Sequence, residues 1–262
     1  MAHNGVLILL APSKTMDLTS AAPSQVTTES PVFLSQAAKI ANRLRSFSTV
    51  KMMRLMSVSK PIALAVQQYY EQWDLATLGK PALWSYTGDV YRGLQAPSLN
   101  QSDADWAQQH LMIASGLYGL VRPYDGVQAY RLEMKAALQV GRRKNLYRYW
   151  GNILSDYVQA QGYNWLCNCC SDEYAKPVLK GVTLPVITPV FFDTKPSGEI
   201  GQVPIYSKIM RGVYARWMID HRINAPEQLT DFAAHGYSYD LARSHPNFPA
   251  FSRAKMVPLR FE

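Results

Sequence analysis

The sequence is short of three things. It has only three cysteines, Cys167, Cys169 and Cys170, odd in number and packed together, from which no disulfide framework can be built. No run approaches the roughly 18 apolar residues a membrane helix needs. The apolar run Val6 to Leu10 is also too short for the core of a signal peptide and has no basic segment before it. Acid is scarce as well: 19 Asp and Glu stand against 27 Lys and Arg, a formal net charge of +8. The first two shortages exclude a disulfide-stapled secreted scaffold and a membrane-spanning chain, and lead us to expect a soluble protein of the cytoplasm. The third points to an anionic partner. The 262 residues are 48% hydrophobic and 18% charged, enough chain for a sizeable core and too apolar for disorder. Net charge is +3 up to Arg131 and +5 after it, so the excess belongs to the folded body and not to a basic tail.

Val6 to Ala11, ended by Pro12, reads as a buried strand. A Ser/Thr/Pro-rich loop follows to Pro31. Apolar residues at Leu34, Ala37, Ala41 and Leu44 then predict a helix, Ser48 or Thr49 caps a second carrying Met52, Met53 and Met56, and Ser59 with Pro61 opens a third toward Trp73. Further on, a helix opening at Ser102 leads to a strand at Leu111 to Ala114. Asn145 to Gln161 reads as one amphipathic helix stopped by Gly162. Tyr163 to Cys170 and Leu184 to Phe192 read as strands, and Ser207 to Ile223 as a basic helix. Asn224 and Glu227, spaced as a capping box around Pro226, predict a helix stopped at Gly236. Strands alternate with helices, but some gaps are too short for crossover helices. The expectation is therefore an α/β fold, a single domain over 1–262 with a mixed sheet flanked by helices.

Between Glu29 and Glu71 there is no acid, yet Lys39, Arg43, Arg45, Lys51, Arg54 and Lys60 all lie there. Lys39 and Arg43 share a helix face, as do Lys51 and Arg54. Two short helices around the turn Ser46-Phe47-Ser48-Thr49 would offer backbone amides and cations to phosphates. We therefore expect a helix-hairpin-helix-like element over 33–60 that grips DNA without reading its bases, although its turn lacks glycine. A second acid-free stretch, Lys135 to Ser155, interleaves Arg142, Arg143, Lys144 and Arg148 with Tyr147, Tyr149 and Trp150. Its aromatics read as core and its arginines as facing solvent or contacting anions.

A third group sits where predicted strands end: Ser13-Lys14-Thr15-Met16-Asp17, Ser115-Gly116-Leu117-Tyr118-Gly119 leading to Arg122, and Ser171-Asp172-Glu173-Tyr174. Open α/β sheets place binding residues there, so one shared cleft is expected. Arg131 and Glu133, two residues apart, would lie on one side of an extended segment. The cysteines read as buried thiols, and the C-x-C-C spacing does not suit zinc. His3, His110, His221, His235 and His245 show no ligand spacing, so neither a metal nor a cofactor is expected.

Several strings, taken in order, resemble the peroxide stress protein YaaA family. They are Ala11-Pro12-Ser13-Lys14-Thr15-Met16-Asp17, Gly88-Asp89-Val90-Tyr91-x-Gly93-Leu94, Ser115 to Pro123, Tyr130-Arg131-Leu132-Glu133-Met134, Tyr149-Trp150-Gly151, Ser171-Asp172-Glu173-Tyr174 and Arg211-Gly212. The resemblance implies a single-domain α/β fold with a positively charged cleft and a helix-hairpin-helix-like element on Phe33 to Ser59. It also implies cytoplasmic DNA binding linked to protection from hydrogen peroxide by limiting free iron. Carried over by position, the cleft would be lined by Lys14, Asp17, Asp89, Tyr91, Arg122, Arg131, Glu133, Ser171, Glu173, Lys208 and Arg211. Two positions depart from the family pattern: Thr87 replaces a usual lysine and Asn152 a usual aspartate.

Two functions follow as expectations. One is sequence-nonspecific DNA binding in the peroxide stress response, through Lys39, Arg43, Arg45, Lys51, Arg54 and Lys60, with any effect on iron indirect. The other is an enzyme on an anionic small molecule. There Lys14, Arg122, Arg131, Lys208 and Arg211 would clamp the anion, with Asp17, Asp89, Tyr91, Glu133, Ser171 and Glu173 as acids, bases or hydroxyls.

Overall fold

The computed structural model describes residues 5–259 and 261; His3 lies outside them. The fold is mixed α/β. Five strands make the first sheet: β1 (Val6–Leu10), β2 (Leu111–Ser115), β3 (Gly119–Val121), β4 (Trp165–Cys169) and β5 (Val186–Ile187), in the order β3-β2-β1-β4-β5. β1 runs parallel to β2 and β4, β4 is parallel to β5, and β3 returns antiparallel to β2. Every residue of β1 is fully buried, as its unbroken apolar run requires of a central parallel strand. A second sheet, in the order β8-β9-β6-β7, holds β6 (Val190–Thr194), β7 (Ile200–Gly201), β8 (Ser238–Tyr239) and β9 (Ala250–Arg253).

Among the described residues the α-helices of five or more residues are α1 (Leu34–Arg45), α2 (Thr49–Met56), α3 (Lys60–Gln72), α4 (Asp89–Leu94), α5 (Gln101–His110), α6 (Leu146–Trp150), α7 (Ile153–Ala160), α8 (Asp172–Leu179) and α9 (Pro204–Asp220). The first three fall where the apolar spacing put them. Ala37, Ile40, Ala41 and Leu44 are the buried stripe of α1, and the Ser48 hydroxyl accepts from the Lys51 amide at the start of α2. They do not form the expected two-helix hairpin: α3 packs against both α1 and α2, which make little contact with each other. Arg45 explains part of this. Its guanidinium donates to the Tyr70 and Trp73 carbonyls, capping the C-terminus of α3 and tying that end to α1.

Several boundaries differ from the sequence expectation. Asn145 to Gln161 is two helices, because Gly151 turns to positive φ (+51°) once Trp150 is wedged in the core with its indole N–H on the Gly116 carbonyl. Leu184 to Phe192 is two strands in different sheets. Pro189 has no N–H for a ladder, and the Thr188 amide donates instead to Asn247. The helix before β2 starts one residue earlier, capped by Asn100, whose side chain accepts from Asp103 N–H at 2.9 Å. After Pro226 there is only a 3₁₀ segment to Asp231, and Gln228 rather than Glu227 reaches back to the Asn224 and Ala225 amides.

The helix expected over Ser207 to Ile223 is α9, opened three residues earlier by Pro204 and ended at Asp220, and its Ile209, Met210, Val213, Tyr214, Ala215, Met218 and Ile219 are buried. Its packing onto α4 decides the shape of the site. An added Cβ at Gly212 would stand 1.8 Å from the Val90 carbonyl oxygen, and one at Gly93 2.2 Å from that of Ile209. Only glycine on both helices lets the two backbones lie this close.

Candidate functional site: a strand-end cleft and a basic face

The strand order places β1 between β2 and β4, so the chain leaves β1 toward one side of the sheet and β4 toward the other. Beyond their carboxyl ends the two departing loops part and leave a crevice, the position where open α/β sheets hold ligands. A cleft of about 480 Å³ opens there. Its walls are the loop after β1 (Ala11 to Thr15), Thr87 to Tyr91 entering α4, the end of β4 with Ser171, Glu173 and Tyr174, and Lys135, Lys208 and Arg211. The α4–α9 contact carries Asp89 and Tyr91 to the same space as Lys208 and Arg211. The Tyr91 hydroxyl donates to the Ala11 carbonyl at 3.0 Å, pinning α4 to the end of β1.

Gly88, at φ +104°, makes the turn into α4 against Ser13; a Cβ there would lie 2.9 Å from the Ser13 hydroxyl. Thr87 donates to Thr15 at 2.9 Å, and Thr15 lies 3.2 Å from Ser13, which makes a ladder of three hydroxyls on this wall. Thr87, one of the two departures from the family pattern, thus contributes a hydroxyl where a lysine would have contributed charge.

A row of alternating charges borders the cleft. Lys14 Nζ is 2.5 Å from Glu133 Oε1, Lys135 Nζ is 3.2 Å from Glu133 Oε2, and Lys135 Nζ is 3.5 Å from Glu173 Oε2. Burial pushes the Glu133 carboxyl up, but the hydrogen-bonded Lys14 and Lys135 ammonium groups more than offset this and hold it below its ordinary value. Lys14 and Lys135 also line a neighbouring hollow of about 470 Å³ with Arg131 and with Leu55 to Ser57 at the end of α2. Lys208 and Arg211, one turn apart on α9, have no acidic partner among the described residues, and the buried Arg211 Nε has no hydrogen-bond partner.

The cleft therefore gathers Lys14, Asp89, Tyr91, Ser171, Glu173, Lys208 and Arg211 from the sequence expectation, with Arg131 and Glu133 at its edge. Two residues lie elsewhere. Asp17 is held by Thr19 and Ser20, and hydrogen bonds from Ser20 and Thr19 keep its carboxyl well below the ordinary range; it is a turn-former beside Lys80. Arg122 donates to the Tyr157 hydroxyl on α7 and to the side chain of Gln161 just after it. The loop after β2 does not join the cleft. Ser115 is buried, accepts from the Leu117 and Tyr118 amides and pairs with the Tyr130 hydroxyl at 2.7 Å. Lys135 was missed as a cleft residue. The two-residue spacing that joined Arg131 to Glu133 extends to it, and following that alternation one step further would have found it.

The basic face is separate. Lys39, Arg43, Arg45, Lys51, Arg54 and Lys60 are all exposed. Arg45 is engaged with α3, while the other five form no ion pair among the described residues. At the turn the Arg43 guanidinium lies over the Phe47 ring at 4.9 Å, with Lys51 at 5.9 Å. The second acid-free stretch adjoins α1: Tyr149 OH donates to the Gln36 carbonyl at 2.9 Å, and Arg43 to that of Gln139. Exposed Arg142, Arg143, Lys144 and Arg148 thus continue the basic surface that begins on α1.

The cysteines are free thiols held away from solvent. All three are buried, Cys167 and Cys169 point to the same side with their sulfurs 3.9 Å apart, and burial pushes the Cys167 and Cys170 thiols up. Among the described residues no helix is long and apolar enough to cross a membrane.

Residues 6–243 match the family model for peroxide stress protein YaaA. A UPF0246 protein of Ruegeria pomeroyi is 39% identical over 256 residues, covering 95% of this chain and 98% of its own length. UPF0246 proteins of Marinomonas (39%, covering 94% and 96%) and of Tolumonas auensis (40%, covering 95% and 98%) are similar to the same extent.

Proposed function

Because the chain belongs to the peroxide stress protein YaaA family, we propose that it serves the peroxide response as a sequence-nonspecific DNA-binding protein of the cytoplasm. It protects DNA and limits free-iron damage indirectly, by occupying the nucleic acid. The observation that carries this reading is the acid-free stretch from α1 to the start of α3. Five exposed cations there lack any acidic partner among the described residues, and the basic segment 142–148 lies against the same helix. An exposed cation with no protein counter-charge is free to displace the counterions of a phosphate backbone. Phosphate contacts of this kind give affinity without base readout.

The aromatic at the turn fits the same role. Phe47, flanked by Arg43 and Lys51, holds two long cationic side chains close together where DNA would pass. The test is duplex binding by the full chain at low salt, with K51E/R54E as the variant. Both residues are exposed and outside the packed side of α2, so the variant keeps its fold. Wild type binds and the variant does not. Equal binding by both would place the interface elsewhere, and no binding by wild type would overturn the reading.

A further inference from the structure

The cleft at the ends of β1 and β4 has a charge balance of its own. Lys14 and Lys135 are matched by Glu133 and Glu173. Asp89 is matched by Arg92, 3.8 Å away. What remains uncompensated among the lining residues is Lys208 and Arg211, side by side on α9, so the cleft presents two positive charges to whatever enters. The Arg211 Nε is buried and unpaired, a donor that has lost water and gained no partner in the protein. Such a group normally costs free energy unless a ligand satisfies it. An Arg fork beside a Lys suits a dianion with several acceptor oxygens, and a phosphate monoester carries close to two negative charges at neutral pH.

Another part of the lining has different chemistry. Ser13, Thr15 and Thr87 form their hydroxyl ladder there, and Asp89 adds a carboxylate at the start of α4. Hydroxyls and a carboxylate together donate to and accept from the hydroxyls of a polyol. The cleft volume of about 480 Å³ lies within the span of small-molecule sites and is too small for a duplex. We propose that this cleft binds a phosphorylated sugar, its phosphate monoester held by Lys208 and Arg211 and its hydroxyls by Thr15, Thr87 and Asp89.

That chemistry has two sources, a free mononucleotide or sugar phosphate and the phosphorylated end of a nucleic acid strand. The inference does not depend on the DNA-binding face, whose residues it does not use.

The experiment is titration calorimetry on the full chain with thymidine 5′-monophosphate, thymidine and citrate. Alongside it runs binding of one DNA hairpin carrying either a 5′-phosphate or a 5′-hydroxyl. The monophosphate binds more tightly than thymidine by roughly tenfold to a hundredfold, the worth of hydrogen bonds to a charged group, and K208Q/R211Q removes that advantage. Lys208 is exposed, so K208Q alone keeps the fold and weakens the monophosphate in the same direction should the double variant be unstable. A preference confined to the phosphorylated hairpin, and lost in K208Q/R211Q, also supports the proposal and makes the strand end the source. The proposal is overturned if neither phosphorylated probe is preferred over its hydroxyl counterpart, if the preference survives K208Q/R211Q, or if citrate binds as well as the monophosphate. K51E/R54E is carried in parallel. Losing hairpin affinity there while keeping the monophosphate signal separates failure of the DNA reading from failure of this one.

Discussion

Replacing Gly212 with alanine tests the packing that builds the cleft. The added Cβ would stand 1.8 Å from the Val90 carbonyl oxygen, 2.8 Å from its carbonyl carbon and 2.9 Å from the Leu94 nitrogen. All three are backbone atoms, so no side chain can swing aside. Reaching even a 3.0 Å contact requires α4 and α9 to part by about 1.2 Å, in an interior packed as densely as an organic crystal. Alanine gains up to about 1 kcal/mol of helix propensity over glycine. Overpacking costs about 1–3 kcal/mol and more when backbone must move, so the clash prevails. We expect net destabilisation on the order of 2 kcal/mol, read as a lower midpoint in urea with unchanged slope. Because α4 carries Asp89 and Tyr91 while α9 carries Lys208 and Arg211, cleft ligands should bind more weakly, whereas duplex binding by α1 to α3 should persist. A midpoint equal to or above wild type would refute the reasoning.

Asp125 gives a pH dependence. Its carboxyl is buried, and burial pushes it up to about 7 despite hydrogen bonding from the Arg122 amide. A raised carboxyl favours the fold below its unfolded value near 3.8, and that stability is lost as pH rises through about 7. The loss is on the order of 4 kcal/mol, and D125N should flatten the stability profile between pH 4 and 7. The Asp193–Arg253 pair, fully buried with the Tyr237 hydroxyl on Asp193, fixes the β6–β9 register. D193A leaves a buried guanidinium uncompensated and should cost roughly 3–5 kcal/mol in denaturant titration. The three thiols should resist labelling in the native protein and react together only on global unfolding; native-state labelling would contradict their burial.

Much of the architecture was legible because its signals are local. The apolar run at Val6, the spacing from Leu34 to Leu44 and the Ser48 cap each specify an element with little help from the rest of the chain. Where sequence reasoning slipped, distant residues decided. Trp150 breaks its helix because the core around Gly116 and Gly119 receives its ring, and Pro189 divides two strands because the second sheet needs Val190 onward. The cleft was half legible. Strand-end polar residues pointed to it, but that β2 ends in the core rather than the cleft follows from β3 folding back antiparallel, which composition does not encode. Arg45 belonged by spacing to the basic set, yet α3 ends within its reach and takes it as a cap.

The central claim is that the five unpaired cations of α1 to α3 meet the DNA backbone, and salt dependence measures it most directly. If Lys39, Arg43, Lys51, Arg54 and Lys60 each neutralise one phosphate, log K for a duplex should fall against log salt with a slope of about −4.5. K51A/R54A should make the slope shallower by about 2 while leaving the fold intact. A slope near zero, or one that the substitution leaves unchanged, would contradict the account.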